Sequence, residues 1–240
     1  MRIDILGVAF DNVTMEEALD RAEELIAAGG PHLVVTPNAE IVQMAKGDGE
    51  FSNLIAGADL VIPDGVGVIY ASKILGRPLK DRVPGVDFAA GLMERMAGNG
   101  RKLFLLGAKP GVAEEAAQKL TEKYPGLTVC GTHDGYFKED GPVVEEIKAS
   151  GADVMFVCLG APKQEKWIAA NGEATGASLL IGLGGSLDVF SGRVERAPAF
   201  WQKINMEWLY RGLKEPARLK RIIKLPLFLV SALGARIKGK

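Results

Sequence analysis

The sequence predicts a layered α/β fold: an open, mainly parallel sheet with helices on both faces, followed by a basic helical appendage. Three observations carry this. Short runs rich in Val, Ile and Leu recur through residues 1–192, amphipathic helical stretches fall between them, and the charge balance changes sign after Gly192. Apolar runs without a polar face suit strands buried on both sides, and strands alternating with helices at this spacing imply right-handed βαβ units. The expected architecture is therefore Rossmann-like, with an α/β domain over 1–192 and the appendage over 193–240.

The runs HLVVT (32–36), DLVI (59–62), KLFLLG (102–107), LTVCG (127–131), DVMFVCLG (153–160) and SLLIGLG (178–184) read as strands. Two of the intervening helices carry their own boundary signals. TMEEALDRAEELIAAGG has Thr14 as N-cap, Glu17 at the capping-box position and Gly29-Gly30 as a stop. PGVAEEAAQKLTEKYPG opens on Pro and closes on Pro-Gly.

The composition fits this picture. With 240 residues, 48% hydrophobic and 25% charged, the chain suits one large or two small globular domains and excludes disordered, fibrous and multi-span membrane classes. Cys130 and Cys158 sit in apolar runs without CxxC spacing, which argues against a disulfide scaffold or zinc cluster. The start MRIDILGVAF carries no export pattern, so a cytoplasmic location is expected.

The net charge of −1 conceals an acidic body and a basic tail. Residues 193–240 hold 12 Lys and Arg against 3 Asp and Glu, or +9, which leaves −10 for residues 1–192.

Ligands of open α/β sheets bind beyond the carboxyl ends of the strands, so the residues following each strand are the candidates for chemistry. After HLVVT come Thr36 and Asn38, which would cap the next helix or hydrogen-bond a ligand. After DLVI comes Pro63-Asp64-Gly65-Val66-Gly67, where Asp64 is either a cap or a general base at a strand end. The turn Asp81-Arg82-Val83-Pro84-Gly85-Val86-Asp87 offers Asp87 as a cap and Arg82 as a bidentate partner for a phosphate or carboxylate. Gly160-Ala161-Pro162-Lys163-Gln164 would point Lys163 and Gln164 into the crevice at a helix start, and Asp188 is a further acid near a strand end.

Several chemistries are disfavoured. Gly107-Ala108-Lys109-Pro110-Gly111 lacks the P-loop pattern, and Gly182-Leu183-Gly184-Gly185-Ser186-Leu187 lacks the last small residue of the dinucleotide fingerprint, so a nicotinamide-dependent oxidoreductase is a competitor without its motif. His32 and His133 belong to no metal-binding pattern, and Asp48-Gly49-Glu50, the nearest approach to an acidic metal pair, is expected to be solvated. No metal or cofactor is expected. The other competitor is a non-catalytic membrane-associated binding module whose acidic turns are only caps.

In the tail, at roughly 100° per residue, Arg211, Lys214, Arg218 and Arg221 share one side of a helix that Pro216 kinks or restarts. The apolar run from Leu225 to Ala235 is shorter than the ~20 residues that span a bilayer. It suits an interfacial helix drawn to anionic lipid, where each Lys or Arg contributes about 1 kcal/mol. Because the tail is strongly apolar and no nucleic-acid fold is evident, a membrane surface is the expected partner and nucleic acid is not. The same apolar tail could drive self-association.

Taken in order, TPNAE, PDGVG, RVPGVD, LLGAKPG, GTHDGYF, LGAPKQEKW, GLGGSLDVFSG, RAP and EWLYRGLKEPARLKR span nearly the whole chain. This series resembles the WecG/TagA/CpsF glycosyltransferases, glycosyltransferase family 26. The resemblance implies an inverting transferase that moves an N-acetylmannosamine-type sugar from UDP to the 4-hydroxyl of GlcNAc on a polyprenyl diphosphate, at the cytoplasmic membrane face. It leans to the branch that makes the linkage unit of wall teichoic acid, with the uronic-acid donor as the alternative. It also implies roles: Asp64 as catalytic base, Thr36, Asn38 and Gln164 as donor-pocket residues, and Arg82 as the stabiliser of the diphosphate. By the same resemblance Arg211, Arg218 and Arg221 belong to an appendage that closes over the site and binds diphosphates. A transferase without a metal must stabilise departing UDP with fixed cations, and these arginines would supply them.

Overall fold

The structure, a computed structural model, describes residues 1–198, 200–201, 206–207, 209–210 and 224–238. Six strands form one parallel sheet: β3 (His32–Val35), β4 (Leu60–Val61), β5 (Lys102–Gly107), β6 (Thr128–His133), β7 (Val154–Cys158) and β8 (Leu179–Gly182), in the order β4-β3-β8-β7-β5-β6. Each follows from one of the six apolar runs, with ends shifted by a few residues. The runs without a polar face are the central ones: all five residues of β7 and all four of β8 are buried.

Alternate residues serve opposite faces of the sheet, as the two-residue period of a strand requires. Leu103, Leu105, Val154, Phe156 and Ile181 point into a core shared with helices α1 (Met15–Ala28), α5 (Gly85–Met96) and α6 (Val112–Lys123). Phe104, Leu106, Met155 and Val157 point the other way, against α7 (Asp140–Ser150) and α8 (Lys163–Thr175). Around β3 and β4 that second face is covered by α2 (Ala39–Gly47), α3 (Gly49–Ala56) and α4 (Val66–Ile74). The short α9 (Ser186–Phe190) follows β8.

Local signals set the helix ends. The Thr14 hydroxyl accepts the Glu17 N–H while the Glu17 carboxylate accepts the Thr14 N–H, a reciprocal capping box, and Gly29 closes α1. Asp48 is better placed than a solvated loop residue: its carboxylate caps α3 through the Phe51 N–H, and Lys166 of α8 reaches both Asp48 and Glu50. Asp87 is not the cap of α5; Pro84 holds that position and Asp87 is bound to Arg196.

The N-terminus adds an element that the spacing of the other strands does not anticipate. β1 (Arg2–Ile5) pairs antiparallel with β2 (Val8–Asp11) through a two-residue turn at Leu6 and Gly7, both at positive φ. Asp11 ties this hairpin to the sheet, accepting from Arg2 at 3.2 Å and from the Val61 N–H at 2.8 Å.

A last helix, α10 (Lys224–Ile237), packs on α2 and α4 and buries Phe228 and Ala232 in the same core as the hairpin. Polar contacts hold both its ends. Lys224 pairs with Glu40 at 3.0 Å and its carbonyl accepts from Gln43, while Arg236 donates to the Leu75 carbonyl at the end of α4.

Candidate active site

The chain runs outward from β3 to β4, crosses to the far half of the sheet, and returns to lay β8 beside β3. The carboxyl ends of β3 and β8 thus flank the point where the winding reverses, where a ligand crevice is expected. The Thr36 hydroxyl joins the two ends directly, donating to the Gly182 carbonyl at 3.0 Å while 7% exposed.

Asn38, two residues on, caps α2: its side-chain oxygen accepts from the N–H groups of Glu40 and Ile41. Asp64 follows the end of β4, and its N–H bonds the Pro37 carbonyl at 3.3 Å, which brings the Asp64 turn against the Thr36–Asn38 turn. Gly65, not Asp64, stands at the N-cap of α4, and no side chain caps that helix. The half-buried Asp64 carboxylate is therefore not consumed as the cap of α4.

The next turn joins the same group. Val83 donates its N–H to the Pro63 carbonyl at 2.9 Å, which fixes Arg82 beside the Asp64 turn. At the start of α5, a Cβ on Gly85 would stand 3.2 Å from the Thr36 methyl and 3.4 Å from Leu183, so this helix start packs directly on the ends of β3 and β8. Arg82 lines a cleft of about 410 Å³ with Lys73, Lys80, Asp81, Asp87 and Arg196.

Two arginines in this cleft meet the tail. Arg82 Nη2 lies 3.6 Å from one Glu207 carboxylate oxygen and Arg196 Nε lies 3.7 Å from the other. Arg196 also forks onto Asp87, at 2.5 and 3.2 Å. Burial works against the charge on Arg196, but Asp87, with Glu207 adding, outweighs it and holds the guanidinium pKa above its ordinary value.

Gln164 lies across the crevice, at the start of α8, and is placed differently from an open ligand-facing side chain. It is 1% exposed, and its side-chain oxygen accepts from Gly160 at 3.2 Å and Gly184 at 2.9 Å. The neighbouring Lys163 is the exposed one, reaching the Gly135 carbonyl and lying over the Phe137 ring. Asp188, in α9, is half-buried, and its carbonyl accepts from Val194 and Ser191.

Thr36, Asn38, Asp64 and Arg82 are thus brought together, and Gln164 joins them through Gly182 and Gly184. Arg211, Arg218 and Arg221 lie outside the described residues. Sequence reasoning missed Arg196 and Glu207; the RAP and EWLY segments that contain them were visible, but nothing in their spacing pairs them with Arg82. Among the described residues no group of three or more His, Cys, Asp or Glu is placed to hold a metal ion.

Comparison with known proteins identifies the family. The chain is 36% identical over 241 residues to a Staphylococcus aureus (strain MW2) protein named N-acetylglucosaminyldiphosphoundecaprenol N-acetyl-beta-D-mannosaminyltransferase, covering all of this chain and 95% of that one. Proteins of the same name from strains NCTC 8325 / PS 47 and COL are similar to the same extent. The family described as "Glycosyl transferase WecG/TagA/CpsF family" matches residues 3–240, and the chain belongs to that family.

Proposed function

We propose that the protein is an inverting glycosyltransferase that moves N-acetylmannosamine from UDP to the 4-hydroxyl of GlcNAc-diphospho-undecaprenol. The observation that carries this is the cluster at the winding reversal: Asp64 on a turn bonded to the Thr36–Asn38 turn, with Arg82 fixed beside it. Together with the family, this cluster supports reading Asp64 and Arg82 as the carboxylate and guanidinium of one crevice mouth.

The chemistry then runs in one displacement. The acceptor hydroxyl oxygen attacks the anomeric carbon as the bond from that carbon to the UDP oxygen breaks, and Asp64 takes the hydroxyl proton. Arg82 offsets the charge gathering on the departing diphosphate, with Thr36, Asn38 and Gln164 shaping the donor pocket. Each such contribution is worth roughly 100-fold or more in rate when removed.

The tail supplies the acceptor side. Its described parts meet the body on both flanks of Asp64: Glu207 reaches Arg82, and Leu225 lies over Gly67, where a Cβ would come within 2.4 Å of it. Arg211, Arg218 and Arg221 lie between these two attachments in sequence, which supports their assignment to a lid that binds diphosphate. On α10, Leu227, Val230, Leu233 and Ile237 are 52–77% exposed on the side away from Phe228 and Ala232. Among the described residues no helix is long and apolar enough to cross a membrane. That stripe supports peripheral association with an anionic membrane surface at the inner face of the cell membrane, where the lipid-linked acceptor resides.

UDP release is the test. Wild-type protein with UDP-N-acetylmannosamine and a short-chain GlcNAc-diphosphate lipid, in EDTA, should release UDP only when acceptor is present, and Asp64→Asn should bind UDP yet lose turnover by about 100-fold or more. Retained turnover in Asp64→Asn removes Asp64 as the base. Release only with UDP-N-acetylmannosaminuronic acid reassigns the donor.

A further inference from the structure

Gln164 and Glu165 are adjacent in sequence and both 1% exposed, an unusual depth for two long polar side chains. Their hydrogen bonds have a fixed direction. The Gln164 oxygen accepts from two backbone N–H groups, Gly160 at 3.2 Å and Gly184 at 2.9 Å. A backbone N–H cannot accept, so these donors determine which end of the amide is oxygen. The Gln164 NH₂ must then donate, and it does so to Glu165 Oε1 at 2.9 Å.

Gly160 lies on the turn after β7, and Gly184 on the turn after β8. One amide therefore cross-links two strand-end turns of the crevice, and one carboxyl oxygen anchors its other end. Without Glu165 Oε1 the buried NH₂ has lost this acceptor, and a flipped amide would set its NH₂ against two N–H donors.

The second Glu165 oxygen has no hydrogen-bond partner among the described residues and is buried. An ionised carboxylate with a bare oxygen there would be costly, and burial indeed pushes this carboxyl above its usual range, with Gln164 offsetting only part of the effect. The neutral acid still presents Oε1 as an acceptor, which is all that Gln164 requires.

We propose that Glu165 is a positioning residue: acting through Gln164, it holds the turns after β7 and β8 in the geometry that receives the donor, without touching substrate itself. The proposal rests on the reading of this crevice as the UDP-sugar site.

The test compares Glu165→Gln, Glu165→Leu, Gln164→Leu and the Glu165→Leu/Gln164→Leu pair with wild type, by kcat, KM for UDP-N-acetylmannosamine, melting curve and amide hydrogen exchange at Gly160 and Gly184. Glu165→Gln keeps an acceptor and should match wild type in kcat, donor KM and exchange, with a melting temperature at neutral pH no lower than that of wild type. Glu165→Leu should raise the donor KM about tenfold and speed exchange at both glycines, with the double variant no worse than Gln164→Leu alone. Wild-type KM and exchange in Glu165→Leu, or additive losses in the double variant, overturn the proposal. If Glu165→Leu does not fold, Glu165→Gln and Gln164→Leu decide: a donor KM raised tenfold in folded Glu165→Gln overturns the proposal, and wild-type kinetics there together with a raised donor KM and faster exchange at both glycines in Gln164→Leu uphold it. Failure of the underlying functional reading shows separately, as a wild-type protein that releases no UDP, while exchange at Gly160 and Gly184 still tests the positioning.

Discussion

Arg82 and Glu207 face each other at 3.6 Å with side chains only 16% and 13% exposed, so the turn beside Asp64 and the start of the tail are joined by a largely desolvated ion pair. Glu207 also faces Arg196, and removing it leaves two guanidinium groups with less compensation. Breaking a buried pair from one side costs more than the pair itself contributes. Glu207→Ala should therefore lower stability by about 1–3 kcal/mol, and the melting temperature by roughly 2–4 °C for each of these. Calorimetry checks this: an unchanged melting temperature means that the pair does not hold the tail to the body.

The Thr36 hydroxyl offers a second test, on the body alone. Its bond to the Gly182 carbonyl is buried, and Val would fill the same volume while leaving that carbonyl unpaired. Thr36→Val should cost about 1–3 kcal/mol by denaturant titration, whereas Thr36→Ser, which keeps the donor, should recover most of it. An unchanged stability in Thr36→Val would mean that the hydrogen bond contributes nothing, and a loss in Thr36→Ser as large as that in Thr36→Val would mean that the methyl group, which packs near Gly85, contributes as much as the bond does.

Most of the sheet was legible because its strands are buried on both faces, and a run such as VMFVC has no polar residue to obscure it. The β1–β2 hairpin was not. Its strands are four residues long, and its turn is Leu6-Gly7, with Leu at positive φ, where an Asn-Gly or Asp-Gly pair would have marked it. In the site, Thr36, Asn38, Asp64 and Arg82 were legible because each stands just after a strand or at a rigid turn. The burial of Gln164 was not, because its partners Gly160 and Gly184 are backbone groups that leave no side-chain signature. The Arg82–Glu207–Arg196 contact was equally hidden: it joins Arg82 to two residues more than a hundred positions further along the chain.

Gly107 ends β5 at φ +126, and a Cβ there would stand 2.4 Å from the Cys158 carbonyl oxygen and 2.5 Å from its carbon. Neither atom can yield without separating β5 from β7 in the centre of the sheet. Gly107→Ala should therefore destabilise by about 3 kcal/mol or more, combining an unfavourable φ with a backbone collision. The same variant should expose Cys158. Burial pushes that thiol up to about 12, so in wild-type protein it should resist a thiol reagent until the chain unfolds. Labelling followed by peptide mass spectrometry separates the cases: rapid labelling of native wild-type Cys158 contradicts its burial.

Glu165 carries the pH dependence. Its ordinary value is 4.5, and burial, only partly countered by Gln164, raises it in the folded protein. The folded state thus binds the proton more tightly than the unfolded chain does. This contribution to stability is fully present below about pH 4.5 and is lost as pH rises through the folded value. Glu165→Gln cannot lose a proton, so its stability relative to wild type should climb from about pH 4.5 upward and level off once the wild-type carboxyl has ionised. Because every other titrating group is common to both proteins, the difference between them isolates this one carboxyl. Denaturant titrations of both proteins from acid to neutral pH measure it directly. A difference independent of pH means that Glu165 is no harder to ionise in the fold than out of it, and that its bare oxygen is solvated.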